Sequence, residues 1–216
     1  MINLKLLFIY SLLIFLISPS GAQIQNYNDT TKKDYISIGL GLFQAYPFQY
    51  AMKDESLFYF EPNIKVPIKK TNYLWITSIG YTLFKKDMIY NNLEYKLEGY
   101  YIKSGFESGL FSFMSNGIMA CITNFKESGN FIFEGNYFDS YKIPFKRTKT
   151  IFYLEPYFVL NIPVLKNFSV EPRVFLNLFF KTNDKYVPTY YIPGSGYWNN
   201  FNYLNVNFDL KIFYKI

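Results

Sequence analysis

From Tyr203 to Ile216 every even residue is apolar: Leu204, Val206, Phe208, Leu210, Ile212, Tyr214 and Ile216. The odd positions carry Asn205, Asn207, Asp209, Lys211 and Lys215. Side chains of a β-strand alternate between two faces, so this period of two specifies a strand with one apolar and one polar side. A helix cannot use such a pattern. Phe168 to Lys181 repeats it, with Phe168, Val170, Val174, Leu176, Leu178 and Phe180 opposite Ser169, Glu171, Arg173, Asn177 and Lys181. Phe152, Leu154, Phe158, Leu160 and Ile162 oppose a mixed face with Glu155 and Asn161.

Five earlier segments alternate in the same way. Their apolar faces are Ile36 to Leu42, Phe58 to Val66, Tyr73 to Leu83, Tyr100 to Leu110 and Ile118 to Ile122, read at every second residue. Eight strands result, with room for one more short strand within 131–146. The links between them alternate strictly in length. Gln44 to Ser56, Lys85 to Tyr95, Lys126 to Thr150 and Thr182 to Asn202 are long, whereas Ile68 to Thr71, Phe111 to Asn116 and Pro163 to Asn167 are short. Both ends of the strand set fall on the short-link side. This asymmetry and the even strand number match outer-membrane barrels, and strands of this length are enough to cross while tilted. The expected fold is all-β: an eight-stranded antiparallel up-and-down β-barrel of the outer-membrane type after an N-terminal signal peptide.

The start of the chain agrees with export. Lys5 precedes an apolar stretch from Leu6 to Ile17, followed by the small residues Ser18, Ser20, Gly21 and Ala22. A basic start, an apolar core and a small-residue exit describe a secretory signal peptide. A dozen helical residues reach only ~18 Å, short of the ~30 Å hydrocarbon core. The expected organisation is a signal peptide over 1–22, a short linker over 23–34 and a barrel over 35–216. The expected location is the bacterial outer membrane, with the N-terminus in the periplasm.

A soluble barrel would alternate equally well, so the decisive matter is which residues share a face. Glu61, Lys65, Lys103, Glu107, Glu155, Glu171, Arg173, Asp209 and Lys211 all fall on the smaller, polar face, where they form a candidate lumen charge network. The opposite face is almost free of charge. Glu61-Pro62, Glu155-Pro156 and Glu171-Pro172 each place a carboxylate on the polar face beside a mid-strand proline, a residue that often marks a bulge. These acids either form a functional carboxylate cluster beside such bulges or simply balance Arg173 and the lysines.

The chain has no histidine, which excludes His-based triads and His-containing metal sites. Cys121 has no such partner and shares its face with Met119 and Thr123, as a packing residue would. No phosphate loop appears; Gly39 and Gly41 sit in strand alternation and relieve crowding in the lumen. The expectation is no enzyme activity and no cofactor. The net charge of +6 is scattered, with no nucleic-acid footprint. Tyr73, Trp75, Tyr81 and Tyr214 suit interfacial girdles. Tyr190, Tyr191, Tyr197 and Trp198 form a candidate outer-loop aromatic patch, which either binds a ligand or partner or packs across the barrel mouth.

Two stretches resemble a known family. Glu98-Gly99-Tyr100-Tyr101-Ile102-Lys103-Ser104-Gly105-Phe106-Glu107 and Tyr191-Ile192-Pro193-Gly194-Ser195-Gly196 are similar to a Bacteroidetes family of signal-bearing envelope proteins, domain-of-unknown-function family 6048. The resemblance implies a cell-envelope barrel with no known activity, so no functional residue is carried over. The leading expectation is a monomeric outer-membrane barrel with a structural or surface-interaction role, surrounded by outer-membrane lipid and meeting envelope proteins through its outer loops. The alternatives are a soluble periplasmic barrel that binds an apolar ligand and a narrow channel.

Overall fold

The computed structural model describes residues 35–45, 55–69, 71–89, 93–111, 113–135, 138–180, 191–197 and 204–216. The signal peptide and linker expected over 1–34 lie outside the described residues, as do Tyr190 and Trp198. In chain order the strands are β1 (Ser37–Ala45), β2 (Glu55–Pro67), β3 (Tyr73–Ile89), β4 (Leu93–Phe111), β5 (Met114–Gly135) and β6 (Phe138–Leu160). They continue with β7 (Ile162–Leu165), β8 (Phe168–Phe179), β9 (Tyr191–Ile192), β10 (Gly196–Tyr197) and β11 (Leu204–Lys215).

β1 to β6 pair in succession and antiparallel, β6 pairs with β8, and β11 pairs with both β8 and β1, which closes the sheet. β7 carries on the line of β6 beyond Asn161 and pairs with the same β8, so the barrel has eight staves. Closure can be followed along one outward row, where Ile38 lies opposite both Ile64 and Tyr214, and Tyr214 opposite Phe168. The closed part of the sheet leaves no edge for another chain to extend, whereas β6 before Tyr153 pairs with β5 alone among the described residues.

The alternation sorts the two faces as expected, and the apolar side chains point outward. Ile79, Phe152 and Phe58 are each 56% exposed and Tyr100 is 62% exposed, while Glu61, Lys103 and Glu155 on the other face are fully buried. The core is therefore the lumen, and an eight-stranded barrel is just wide enough for side chains to fill it. Close strand approach at narrow points is met by glycine. A Cβ on Gly39 would lie 2.5 Å from the Phe213 ring, and one on Gly41 would lie 2.8 Å from the Tyr59 hydroxyl.

Three expectations about links need correction. Lys85 to Tyr95 is mostly strand, since Lys85 pairs with Lys96 and Lys86 with Tyr95. Lys126 to Thr150 is a tall hairpin in which β5 and β6 stay paired as far as Gly135 and Phe138. The extra strand envisaged within 131–146 is thus the continuation of β5 and β6. The link at Pro163–Asn167 shrinks to Lys166 and Asn167, because β7 takes in the rest. Above the apolar band the outward face turns polar while the inward face still carries packed side chains such as Leu93, Tyr95 and Leu97, so the outward half of the period fades although the ladder continues.

The mid-strand prolines also behave differently from expectation. Register passes unshifted through Pro62 opposite Leu40, Pro156 opposite Ile118 and Pro172 opposite Leu210. Each proline keeps a partner on one side; on the other, the paired positions skip Pro62 between β2 and β3 and Pro156 between β6 and β8. Such a proline costs a ladder bond without inserting a residue. The register shifts fall elsewhere, for example between Gly41 and Phe43 and between Gly109 and Phe111.

Gly105 on β4 tests the packing. A Cβ there would stand 2.0 Å from the backbone oxygen of Ile118 and 2.7 Å from the Met119 Cα, and backbone cannot swing aside as a side chain can. Gly105→Val is expected to lower the unfolding free energy by about 1–3 kcal/mol or more, the usual cost of overpacking, read from the urea midpoint of the refolded barrel.

Candidate functional site

Each of the nine charges singled out in the sequence sits at an inward position of β2, β4, β6, β8 or β11, and the closed sheet brings all of them into the lumen at 5% exposure or less. Arg173 is the hub. Its Nε donates to Asp209 Oδ1 at 2.9 Å and its Nη2 to Asp209 Oδ2 at 2.5 Å, a two-pronged grip. Nη2 also lies 3.1 Å from Glu155 Oε1. The guanidinium stands 4.8 Å from the Tyr157 ring centre.

Lys103 donates to Glu155 Oε2 at 2.7 Å. Lower in the barrel, Lys65 bridges Glu107 at 3.0 Å and Glu171 at 2.5 Å, with its ammonium 4.4 Å from the Phe213 ring centre. Lys211 donates to Glu61 and, at 2.8 Å, to Asn63 Oδ1. Five carboxylates thus face four cations. Part of the surplus negative charge is taken up by hydroxyls, since Tyr59 and Tyr101 each donate to Glu61 Oε2 at 2.6 Å and Tyr157 donates to Glu107 at 3.2 Å. These tyrosines share strand parity with the charges, which is the signal by which the sequence points to them as partners.

Above the charges the lumen changes character. Phe84, Leu97, Phe125, Tyr153 and Phe179 form an apolar layer together with Tyr191 and Ile192. The last two belong to the β9–β10 hairpin, which is turned into the barrel: Tyr191 to Gly196 are all buried. Gly194 and Gly196 have φ of 78° and 90°, in the left-handed region that favours glycine. Lys103 donates to the Gly194 carbonyl at 2.6 Å, and Asn177 and Asn207 donate to the Ser195 carbonyl at 3.2 and 2.6 Å. The Tyr191 ring stacks on Phe84 with centres 5.1 Å apart.

For Tyr191 the structure takes the packing alternative: it is 1% exposed and packs inside the mouth. Its apolar ring gains more from Phe84 and the surrounding layer than from water. The backbone of Tyr197 pairs with Tyr191, while Tyr190 and Trp198 lie outside the described residues.

A second cluster near the long-strand end was not singled out in the sequence. Glu127 is fully buried, accepts from Tyr95 and from Arg147, and lies 3.7 Å from Lys149. Its signal was parity, because Met119, Cys121, Thr123, Phe125 and Glu127 continue one inward face. The expected strand stops before Lys126, whereas β5 runs on to Gly135 and takes in Glu127.

The charged groups pair with one another, whereas the Ser195 hydroxyl and the Asn177 and Asn207 amide oxygens are buried without a hydrogen-bond partner among the described residues. Cys121 is buried and its thiol donates to the Met119 carbonyl at 3.8 Å. Among the described residues no group of side chains is placed to hold a metal ion. A small cavity of about 30 Å3 at the short-turn end, lined by Ser37, Lys65, Ser169 and Glu171 among others, has room for roughly one or two waters.

No family model matches the chain, and no curated protein matches it. Solved structures similar to it include Ail, the attachment invasion locus protein of Yersinia pestis, in a crystal structure with TM-score 0.44 and 11% identity over 84% of this chain and 97% of that one. The outer membrane protein Ail in a phospholipid bilayer nanodisc gives TM-score 0.44 and 12% identity over 85% and 99%. Neisserial surface protein A gives TM-score 0.41 and 10% identity over 84% and 96%. Identities this low bear on shape alone.

The network makes a direct prediction. Arg173→Met leaves Asp209 and Glu155 facing each other without their shared cation, and breaking a buried pair on one side costs about 3–5 kcal/mol. Adding Asp209→Leu removes the stranded charge and is expected to restore part of that loss, measured by urea unfolding of the single and double variants.

Proposed function

We propose that the chain is an outer-membrane β-barrel with a structural or surface-interaction role, and that it neither conducts solutes nor catalyses a reaction. The observation that carries this reading is the inversion of its faces. Exposed apolar side chains cover the outside, while paired charges fill the inside. In water such an arrangement would leave the hydrophobic surface unburied and desolvate the charges; in a bilayer the outside meets hydrocarbon. Among the described residues no helix is long and apolar enough to cross a membrane, so crossing would fall to the strands.

The dimensions support the same reading. On β3 the outward face is uncharged from Tyr73 to Leu83, and ten steps along a strand tilted by about 40–45° rise about 25 Å, the height of an outer-membrane apolar band. Tyr73 and Trp75 stand at its lower edge, with Trp75 packed edge-on against Phe106 at 4.8 Å. Tyr81 and Tyr100 stand near the upper edge, where the Tyr81 hydroxyl donates to Glu98 at 3.1 Å. The band steps downward in register from β3 to β6, where Phe152 is its uppermost apolar member, as tilted strands require.

On this reading the short turns and both ends of the barrel face the periplasm, and the tall β5–β6 hairpin rises from the outer surface. The barrel stands as a monomer in outer-membrane lipid, with its tall strands available to envelope partners. An apolar-ligand carrier is disfavoured by a lumen holding nine charged side chains and an inserted hairpin. The resemblance to the Bacteroidetes family stands on its two short motifs. They meet in the lumen, where Lys103 of one holds the Gly194 carbonyl of the other.

The test is fractionation followed by electrophoresis. The expected result is recovery in the detergent-extracted outer membrane as a species whose gel migration changes on boiling, with no conductance steps in planar bilayers. Recovery as a soluble periplasmic monomer would overturn the membrane reading, and discrete conductance steps would overturn the closed lumen.

A further inference from the structure

The β5–β6 hairpin outgrows the closed barrel on one side. β8 ends at Phe179, opposite Tyr153, and just beyond it the Phe180 N–H donates to the Phe152 carbonyl at 3.4 Å. From Phe138 to Ile151, β6 pairs with β5 alone among the described residues. Its other edge over that stretch presents main-chain donors and acceptors to no described strand. A two-stranded ribbon is marginal in water by itself, and a third strand is what such an edge accepts.

The Phe152 hydrogen bond also fixes which residues point to this edge. Main-chain groups alternate sides along a strand, so those of Thr150, Thr148 and Lys146 share the side taken by the Phe152 carbonyl. The register with β5 holds unshifted over these residues. Pro144 belongs to the same set and stays opposite Asn130, so its missing N–H falls on the edge and the ladder to β5 is kept. The open ladder therefore runs from Thr150 to Lys146 and ends at Pro144.

The side chains beside that ladder specify its occupant. Lys142, Lys146, Arg147 and Lys149 lie along it, Lys126 stands opposite Thr148, and β6 carries no acid from Lys142 to Leu154. Three acids face these five cations. Glu94 holds Lys142 at 2.6 Å, Glu127 accepts from Arg147 and lies 3.7 Å from Lys149, and Glu98 opposes Lys126. The balance beside the ladder is positive; Glu134 and Asp139 come only beyond Pro144, nearer the turn. In that upper part Phe133, Tyr141 and Ile143 are exposed on the face toward the barrel axis, where lipid does not reach.

We propose that this edge of β6 is a docking site for an extended acidic segment of another protein outside the cell, which joins the sheet as an added strand. Main-chain bonds hold the segment at Lys146, Thr148 and Thr150, its carboxylates meet the cations, and its apolar side chains reach toward Ile143 and Tyr141. The inference rests on the surface-interaction role proposed above and gives that role a partner chemistry and a place.

The refolded barrel in zwitterionic detergent can be titrated with a labelled peptide of about ten residues alternating glutamate and valine, and with its lysine–valine counterpart. The acidic peptide is expected to bind about tenfold more tightly or better. Thr148→Pro removes an edge-facing N–H as Pro144 already does, so it is expected to fold and to weaken the acidic peptide about tenfold, while Thr148→Val binds as the parent does. Lys146→Glu leaves the main chain untouched and is expected to narrow the preference between the two peptides severalfold. Amide exchange at Lys146, Thr148 and Thr150 is expected to be fast in the free barrel and slowed by the acidic peptide. Heat-modifiable migration, checked on every variant, separates loss of the edge from loss of the fold.

Equal binding of the two peptides, unchanged binding by Thr148→Pro or an unchanged preference in Lys146→Glu would overturn the proposal. So would slow exchange at the three amides without peptide: in a monomer it would mark the edge as covered by this chain itself, and in a dimer by a second copy. A barrel that inserts into vesicles yet fails these tests sinks this inference alone; failure to insert at all sinks the membrane reading with it.

Discussion

The closing strand has one register that satisfies its charges. Across the β8–β11 seam Asp209 lies opposite Arg173 and Lys211 opposite Glu171, so each charge meets an opposite one as the barrel closes. Sliding β11 by one residue would turn Asp209 and Lys211 outward and drive Leu210 and Ile212 into the lumen. Charges that cannot reach water must be compensated by one another, and a half-compensated network is worse than none. The rest of the lumen depends on that seam. Arg173 carries the pairing on to Glu155, Glu155 to Lys103, and Lys103 to the carbonyl of Gly194.

The same chain of contacts links the charges to the inserted hairpin. Polar backbone in the lumen needs donors, and Lys103, Asn177 and Asn207 supply them to Gly194 and Ser195. Tyr191 and Ile192 then complete the apolar layer above. The interior is thereby divided into a charged lower part and an aromatic cap, with no open path needed to explain any buried group named above. A filled interior leaves the outer wall and the tall β5–β6 hairpin as the surfaces through which such a barrel would act.

The staves and the nine lumen charges were legible in the sequence because one periodicity reports both. Residues such as Glu171 and Arg173 are placed inward by parity with Phe175 and Asn177, whatever their neighbours. Parity says nothing, however, about which inward residues meet. Lys65 finds Glu107 and Glu171 across separations of 42 and 106 residues, and only closure makes those contacts. Strand ends were hidden for a different reason. From Lys126 to Thr150 the outward face stops being apolar, so the period fades while the ladder continues to Gly135 and Phe138. Glu127 was lost with it. The sequence left the placement of Tyr191 open because an aromatic in a long link looks the same whether it faces solvent or turns inward. The glycines at 194 and 196, together with Asn177 and Asn207 at inward strand positions, are the local features that permit the inward turn.

Ile79 is an outward residue in the middle of the band and 56% exposed, so its surroundings are those of the whole outer wall. Its replacement by arginine separates the two possible surroundings most directly, with unfolding followed by urea titration of barrels folded into lipid vesicles. If hydrocarbon lies there, Ile79→Arg should lower stability by about 2–4 kcal/mol, the cost of a cation near the bilayer midplane. A change within about 0.5 kcal/mol, as at an ordinary water-exposed position, would contradict it.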